Sequence, residues 1–139
     1  MKRSRRRNGQ RGSGLLEASL CFLCTIVIFI GITDVGQVLF IQSTLTERVR
    51  SATSHGSRTY DPDVLRNIVL YGTATPAADQ RPFFNLSPAM VSVERRDAGT
   101  AADRVIVGIS GYPLVFLTPG LSRFAQAVPI KMVASYDGA

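Results

Sequence analysis

The sequence predicts an α+β protein with a long N-terminal helix, a short second helix and a small antiparallel sheet of about three strands. The long helix is expected to span a membrane in its first part and to be amphipathic beyond it. Three observations support this prediction. An apolar run starts at residue 15, apolar residues then recur at steps of three and four, and Val/Ile-rich runs separated by turn residues end the chain.

Positive charge is concentrated at the start of the chain. Six of the 16 Lys and Arg residues, and none of the ten acidic ones, lie within residues 1–14. The net charge of +6 therefore belongs to this segment, and the remainder is balanced. Basic residues directly before an apolar span stay on the cytoplasmic side and orient it. We therefore predict a basic cytoplasmic leader, residues 1–12, in preference to an arm that binds the phosphates of a nucleic acid.

The apolar run after this leader predicts a transmembrane helix, residues 13–34. Residues 18–33 contain no charge, and a bilayer core needs about 20 apolar residues at a rise of 1.5 Å each. The run is long for a secretory signal and lacks a clear cleavage site behind it, so retention in the membrane is favoured. The side chains expected to contact lipid are Leu15, Leu16, Leu20, Phe22, Leu23, Ile26, Val27, Ile28, Phe29 and Ile30.

The same helix is expected to continue into the extracytoplasmic domain, residues 35–139, and to end near residue 54, at a length of about 60 Å. Gly56 is the expected C-terminal cap. Gly31 and Gly36 each cost on the order of 1 kcal/mol in a helix interior and allow close packing or a bend. The apolar stripe of this second part comprises Val35, Val38, Gln42, Leu45, Val49 and Ala52.

The rest of the domain carries clear local signals. Asp61 and Pro62 predict the N-cap and first residue of a short helix that ends near Gly72. A loop rich in Ala, Pro and Asp follows. The predicted strands cover residues 90–95, 104–110 and 128–135, and residues 117–127 form a loop or a short helix between the last two.

No catalytic or cofactor-binding constellation is found, so we expect neither an enzyme nor a cofactor. Cys21 and Cys24 form a C-x-x-C pair, but it lies inside the apolar run, where exposed thiolates for metal or redox chemistry are not expected. The only histidine, His55, lies at a predicted helix end. No phosphate-binding loop or nucleophile-turn motif occurs.

The unusual residue is Glu17, an acid near the start of the apolar span. A carboxylate at the bilayer centre costs roughly 2.5–3.5 kcal/mol, less near the interface, and marks a functional site by default. It could instead lie shallow enough to reach the headgroups. However, when Ser13, which follows Gly12, is counted as residue one, Glu17 is the fifth residue.

A basic leader ending in glycine, a fifth-position glutamate and a long apolar helix resemble the class III signal of type IV pilins and pseudopilins. Over residues 11–50 the chain resembles TadE-like minor pseudopilins of tight-adherence pilus systems. Leu23 departs from the family, which commonly has a proline there, and residues 51–53 lack its usual glycine pattern. The residues that fit the family pattern are Gly31, Asp34, Gly36, Phe40, Leu45, Thr46 and Arg50.

The resemblance implies a pilin-like fold and a minor pseudopilin that primes or joins a pilus. A prepilin peptidase would cut between Gly12 and Ser13, with Gly14 as a rival site. Glu17 would then meet the amino terminus of a neighbouring subunit. The implied helix-packing residues are Gly31, Gly36, Phe40, Leu45 and Arg50.

The resemblance implies a protein that crosses the bacterial inner membrane once, with a cytoplasmic N-terminus and a periplasmic C-terminus. Whether the subunit is also incorporated into an extracellular pilus stays open. The implied partners are the peptidase, other pilins and minor pseudopilins, assembly-platform proteins, a secretion ATPase and the lipid bilayer, with no nucleic acid. Two alternatives remain. One is an uncleaved single-pass envelope protein whose outer domain binds a partner or ligand, and the other is a soluble exported protein cut behind the apolar run.

Overall fold

The structure, a computed structural model, describes residues 9–118 and 127–138, and only the backbone of residues 9–12. It confirms the predicted α+β class. The helices are α1 (Gly9–Gly56) and α2 (Pro62–Tyr71), followed by two single 3₁₀ turns (Phe83–Asn85 and Pro88–Met90). The strands are β1 (Val91–Arg96), β2 (Arg104–Ile109) and β3 (Ile130–Ser135).

Helix α1 is one uninterrupted element of 48 residues, which corresponds to about 70 Å at 1.5 Å per residue. It begins at Gly9 rather than near residue 15, because helix propagation is cheap once a helix is nucleated and no proline intervenes. The predicted leader, residues 1–12, therefore contributes its last residues to α1, and its first eight residues lie outside the described part.

The second half of α1 packs against the rest of the domain. Leu45, Val49 and Ala52 are fully buried and follow one another at steps of four and three, so they form one face of the helix. The predicted stripe is thus confirmed over these three residues. The prediction is wrong at the start of the stripe, because Val35 is exposed and the packed face of α1 begins only further along the helix.

Gly56 ends α1 at the predicted position, but it lacks the left-handed backbone of the usual glycine cap, because its φ is not positive. The reason for a glycine is space. A Cβ added here would lie 3.0 Å from Cδ1 of Leu65 and 3.1 Å from Cγ1 of Val105. The end of α1 therefore approaches α2 and β2 more closely than a residue with a side chain would allow.

Helix α2 confirms the predicted local signals. The Oδ1 atom of Asp61 accepts hydrogen bonds from the backbone N–H of Asp63 (3.0 Å) and Val64 (3.3 Å). Pro62 occupies the first turn, where its missing N–H is not needed. Gly72 adopts φ 80°, ψ 4° and donates its N–H to the carbonyl of Ile68, which is the left-handed cap that glycine favours.

The sheet has the order β1-β2-β3, and both pairs are antiparallel. The three predicted strands are confirmed with small shifts at their ends. The central strand β2 places Val105, Val107 and Ile109 in the core beneath α1 and α2. The predicted loop or short helix at residues 117–127 lies mostly outside the described residues. The core comprises Leu45, Val49, Ala52, Leu65, Ile68, Val69, Leu70, Leu86, Val91, Val105, Val107 and Ile109.

An ion pair closes one end of the sheet by joining β1 to the connection that follows it. The guanidinium of Arg95 donates to both carboxylate oxygens of Asp103, at 3.0 and 2.6 Å, and the N–H of Gly99 adds a third bond at 3.0 Å. The guanidinium also lies 4.0 Å from the ring centroid of Tyr136. The bonds from Arg95, followed by that from Gly99, lower the pKa of Asp103 from 3.8 to about 2.

This lowered pKa predicts a specific acid sensitivity. Because the folded state favours the ionised carboxylate, the contribution of Asp103 to stability is complete above about pH 4 and is lost as the pH falls towards 2. We expect Asp103→Asn to be less stable than the wild type at neutral pH. We also expect it to lose less stability than the wild type between about pH 4 and pH 2. Urea unfolding midpoints of the full chain in non-ionic detergent, measured against pH, would test this. Asp79→Asn, an exposed loop acid, should keep the wild-type profile, and identical profiles for wild type and Asp103→Asn would contradict the prediction.

Candidate anchoring and assembly site

The first half of α1 is an apolar surface that nothing in the described chain covers. Its exposed fractions range from 38% at Ile30 to 74% at Leu16. Among the described residues, α1 is the one helix long and apolar enough to cross a membrane, and none of its most apolar window is buried. The ten side chains predicted to contact lipid are all exposed: Leu15, Leu16, Leu20, Phe22, Leu23, Ile26, Val27, Ile28, Phe29 and Ile30.

Three hydroxyl groups along this part of α1 are satisfied by the helix itself. Ser19, Thr25 and Thr33 each donate to the carbonyl four residues earlier, at 2.8 to 2.9 Å. In a hydrocarbon environment polar groups have to find such internal partners. Cys21 and Cys24 are exposed free thiols, and the described residues contain no group of His, Cys, Asp and Glu that could hold a metal ion.

The residues of the predicted processing site lie at the beginning of α1. The peptide bond between Gly12 and Ser13 is inside the helix, and Ser13 is exposed. Glu17 is also exposed, and no ion pair to it occurs within the described residues. Glu17 is four positions after Ser13, which places the two residues about 6 Å apart along the axis.

The predicted helix-packing residues have different surroundings. A Cβ added to Gly31 or Gly36 would meet nothing within 4 Å, so neither glycine serves a contact within the described chain. Leu45 lies in the core with no exposed surface, and Phe40 is 62% exposed. Arg50 is exposed, and a guanidinium nitrogen of its side chain lies 3.9 Å from a carboxylate oxygen of Glu47.

Asp34 forms a connection that sequence reasoning missed. It is only 4% exposed, and its carboxylate accepts the backbone N–H groups of Leu117 (2.6 Å) and Thr118 (3.1 Å) and the hydroxyl of Thr118 (2.5 Å). We call these three residues the junction. The sequence identified Asp34 only as part of a family pattern. The available signal was that Asp34 is the only charge between residues 18 and 46, because an isolated acid in an apolar segment requires hydrogen-bond donors.

A groove of about 350 Å³ lies next to the junction, between α1 and residues 115–117. Phe84 forms part of its wall and has a left-handed backbone (φ 51°, ψ 29°), which is a strained conformation for a bulky residue. Two contacts hold it there: the hydroxyl of Tyr112 donates to its carbonyl at 3.2 Å, and its ring packs edge-on against Phe40 at 6.1 Å. The groove is lined by Gln37, Phe40, Ile41, Phe84, Val115, Phe116 and Leu117.

Comparisons with known proteins found no family model, no curated protein and no solved structure that matches this chain.

Proposed function

We propose that the chain is a membrane-anchored structural subunit of the minor-pseudopilin kind, which primes or joins a tight-adherence, type IV-like pilus. One observation carries the proposal: Glu17 is the fifth residue after Gly12 and is an exposed acid at the start of an otherwise apolar helical surface. An acid in such a place needs a partner from outside the chain, because an unpaired charge in apolar surroundings is strongly unfavourable.

The proposed processing step supplies that partner. A prepilin peptidase at the cytoplasmic face removes residues 1–12, together with their positive charges, and leaves an ammonium group on Ser13. The carboxylate of Glu17 in one subunit then pairs with the ammonium of its neighbour. This pairing offsets the cost of removing both charges from water and sets the register between adjacent helices.

The long continuous α1 supports this arrangement. Its first half leaves an apolar surface for lipid or for neighbouring helices, while its second half contributes Leu45, Val49 and Ala52 to the core of the outer domain. In this proposal the protein crosses the inner membrane once, with the sheet on the periplasmic side. Its partners are the peptidase, other pilins and the assembly platform.

The mature N-terminus tests the proposal. We expect membranes from cells that co-express a prepilin peptidase to contain a chain that begins at Ser13. Gly12→Leu should leave the start at Met1, because a bulky residue hinders the close approach of the protease to the backbone. Gly14→Ala is the matched control and should still yield Ser13. Terminal mass spectrometry distinguishes these products, and an intact Met1 in the wild type would contradict the proposal.

One observation favours a second candidate, an uncleaved single-pass envelope protein. The bond between Gly12 and Ser13 lies inside α1, and a helical bond has to unfold locally before a protease can cut it. In this candidate the outer domain binds a partner or ligand from its anchored position. It predicts that Gly12→Leu changes neither the N-terminus nor the function.

A further inference from the structure

We propose that the protein has a second contact with the bilayer. It consists of residues 115–117 and Phe40 of α1, which line the same groove and which together lie in the interfacial layer beside the helix. We call this surface the interfacial patch. The inference rests on the anchoring part of the proposed function and not on pilus assembly.

The interfacial patch is apolar and exposed on both of its components. Val115 is 74% exposed and Leu117 is 59% exposed. On α1, Phe40 is 62% exposed. Contiguous apolar surface of this kind marks a binding or membrane-contacting site in most proteins.

The patch is continuous with the surface proposed to face lipid. Phe29, Thr33, Gly36 and Phe40 are exposed and follow one another at steps of four, three and four, so they form one stripe along α1. The polar side chain in this stripe is that of Thr33, and its hydroxyl donates to the carbonyl of Phe29. Lipid that covers the lower part can therefore extend to the patch.

The position along the helix axis matches the interfacial layer. Residues 13–33 rise about 30 Å, the thickness of the hydrocarbon core, and residues 34–40 rise about 9 Å further. The headgroup layer adds roughly 5–8 Å on each side, so Asp34 lies within this layer and Phe40 lies at its outer edge. The junction fixes Leu117 at the level of Asp34, and the groove places Val115 beside Phe40.

The charge pattern and the hydrogen bonds fit the same environment. Residues 35–46 and 105–118 contain no charged side chain. At the level of the patch, Asp34 is buried and accepts three hydrogen bonds from Leu117 and Thr118. Polar groups satisfied within the chain are what a water-poor layer requires.

Site-specific fluorescence in vesicles tests the proposal on the full chain. In a Cys21→Ala, Cys24→Ala background, Leu117→Cys places an environment-sensitive nitrobenzoxadiazole label on the patch. Val133→Cys is the matched control, because Val133 is 55% exposed and alternates along β3 with the core-facing Met132. Native Cys24, kept in a Cys21→Ala chain, reports the middle of the span. Each labelled chain is reconstituted into two sets of phosphatidylcholine vesicles, which carry nitroxide groups on the upper acyl chain to probe residues 115, 117 and 133 and on the lower acyl chain to probe Cys24.

We expect the label at residue 117 to emit at shorter wavelength and to be quenched several-fold more than the label at residue 133. A label at Val115→Cys should give the same result, so the test does not depend on the correct folding of a single variant. If Cys24 is quenched and residues 115 and 117 behave like residue 133, the interfacial contact is overturned while the anchor stands. If Cys24 is not quenched, the anchoring part of the proposed function fails as well.

A second copy of the chain is the competing occupant. It would shield residue 117 from water without quenching by lipid nitroxides, and the shielding would weaken when labelled chains are diluted with lipid. That result would also overturn the proposal. Quenching that persists on dilution supports lipid as the occupant.

Discussion

Replacing Asp34 with alanine is expected to release residues 112–118 from α1. The change removes the acceptor of the two backbone N–H groups and the hydroxyl that form the junction. Hydrogen bonds to a charged group are stronger than those between neutral groups. We therefore expect the amides of Leu117 and Thr118 to exchange with solvent on the order of tenfold to a hundredfold faster.

Hydrogen–deuterium exchange of the full chain in detergent measures this effect at the affected amides. Asp34→Asn should give an intermediate rate, because its side-chain carbonyl can still accept while its NH₂ group faces the remaining donors. Val35→Ala is the matched control, since Val35 is adjacent on α1 and exposed. Equal exchange in wild type and Asp34→Ala would show that the junction does not hold these residues.

The largest loss of stability is expected for Leu45→Ala. Leu45 has no exposed surface, and it packs in the core that α1 shares with α2 and β2. Removing a fully buried leucine side chain costs about 2–5 kcal/mol, through lost burial and the cavity left behind. That is a large fraction of the total free energy of unfolding of a small domain, about 5–15 kcal/mol.

Urea unfolding in non-ionic detergent, followed by tyrosine fluorescence, measures the change in the free energy of unfolding. Leu39→Ala is a matched control on the same helix, because Leu39 is 63% exposed and an exposed substitution usually changes stability by less than about 0.5 kcal/mol. Similar losses for both variants would contradict the described packing of α1 against the sheet.

Local signals in the sequence predicted the elements whose ends depend on neighbouring residues. Asp61, Pro62 and Gly72 bounded α2 correctly, because an N-cap, a first-turn proline and a left-handed glycine act within one turn of the helix. The strands were predicted from Val/Ile-rich runs with turns between them. Strands that follow one another in the chain usually lie side by side, as all three do in this sheet.

Contacts between distant parts of the chain could not be predicted in this way. The bond between Asp34 and Thr118 joins residues that are 84 positions apart, and no periodicity links them. The role of Gly56 was misassigned for the same reason. A glycine near a helix end usually signals a cap, whereas here Leu65 and Val105 occupy the space that a side chain would need.

The unbroken course of α1 has a mechanical consequence. The helix continues from the exposed apolar half into the core without an intervening linker, so the two halves have no hinge between them. A pulling force on the N-terminal half is transmitted directly to the packed face of Leu45, Val49 and Ala52. It acts there as shear against the sheet, across many side chains at once, instead of stretching a flexible tether.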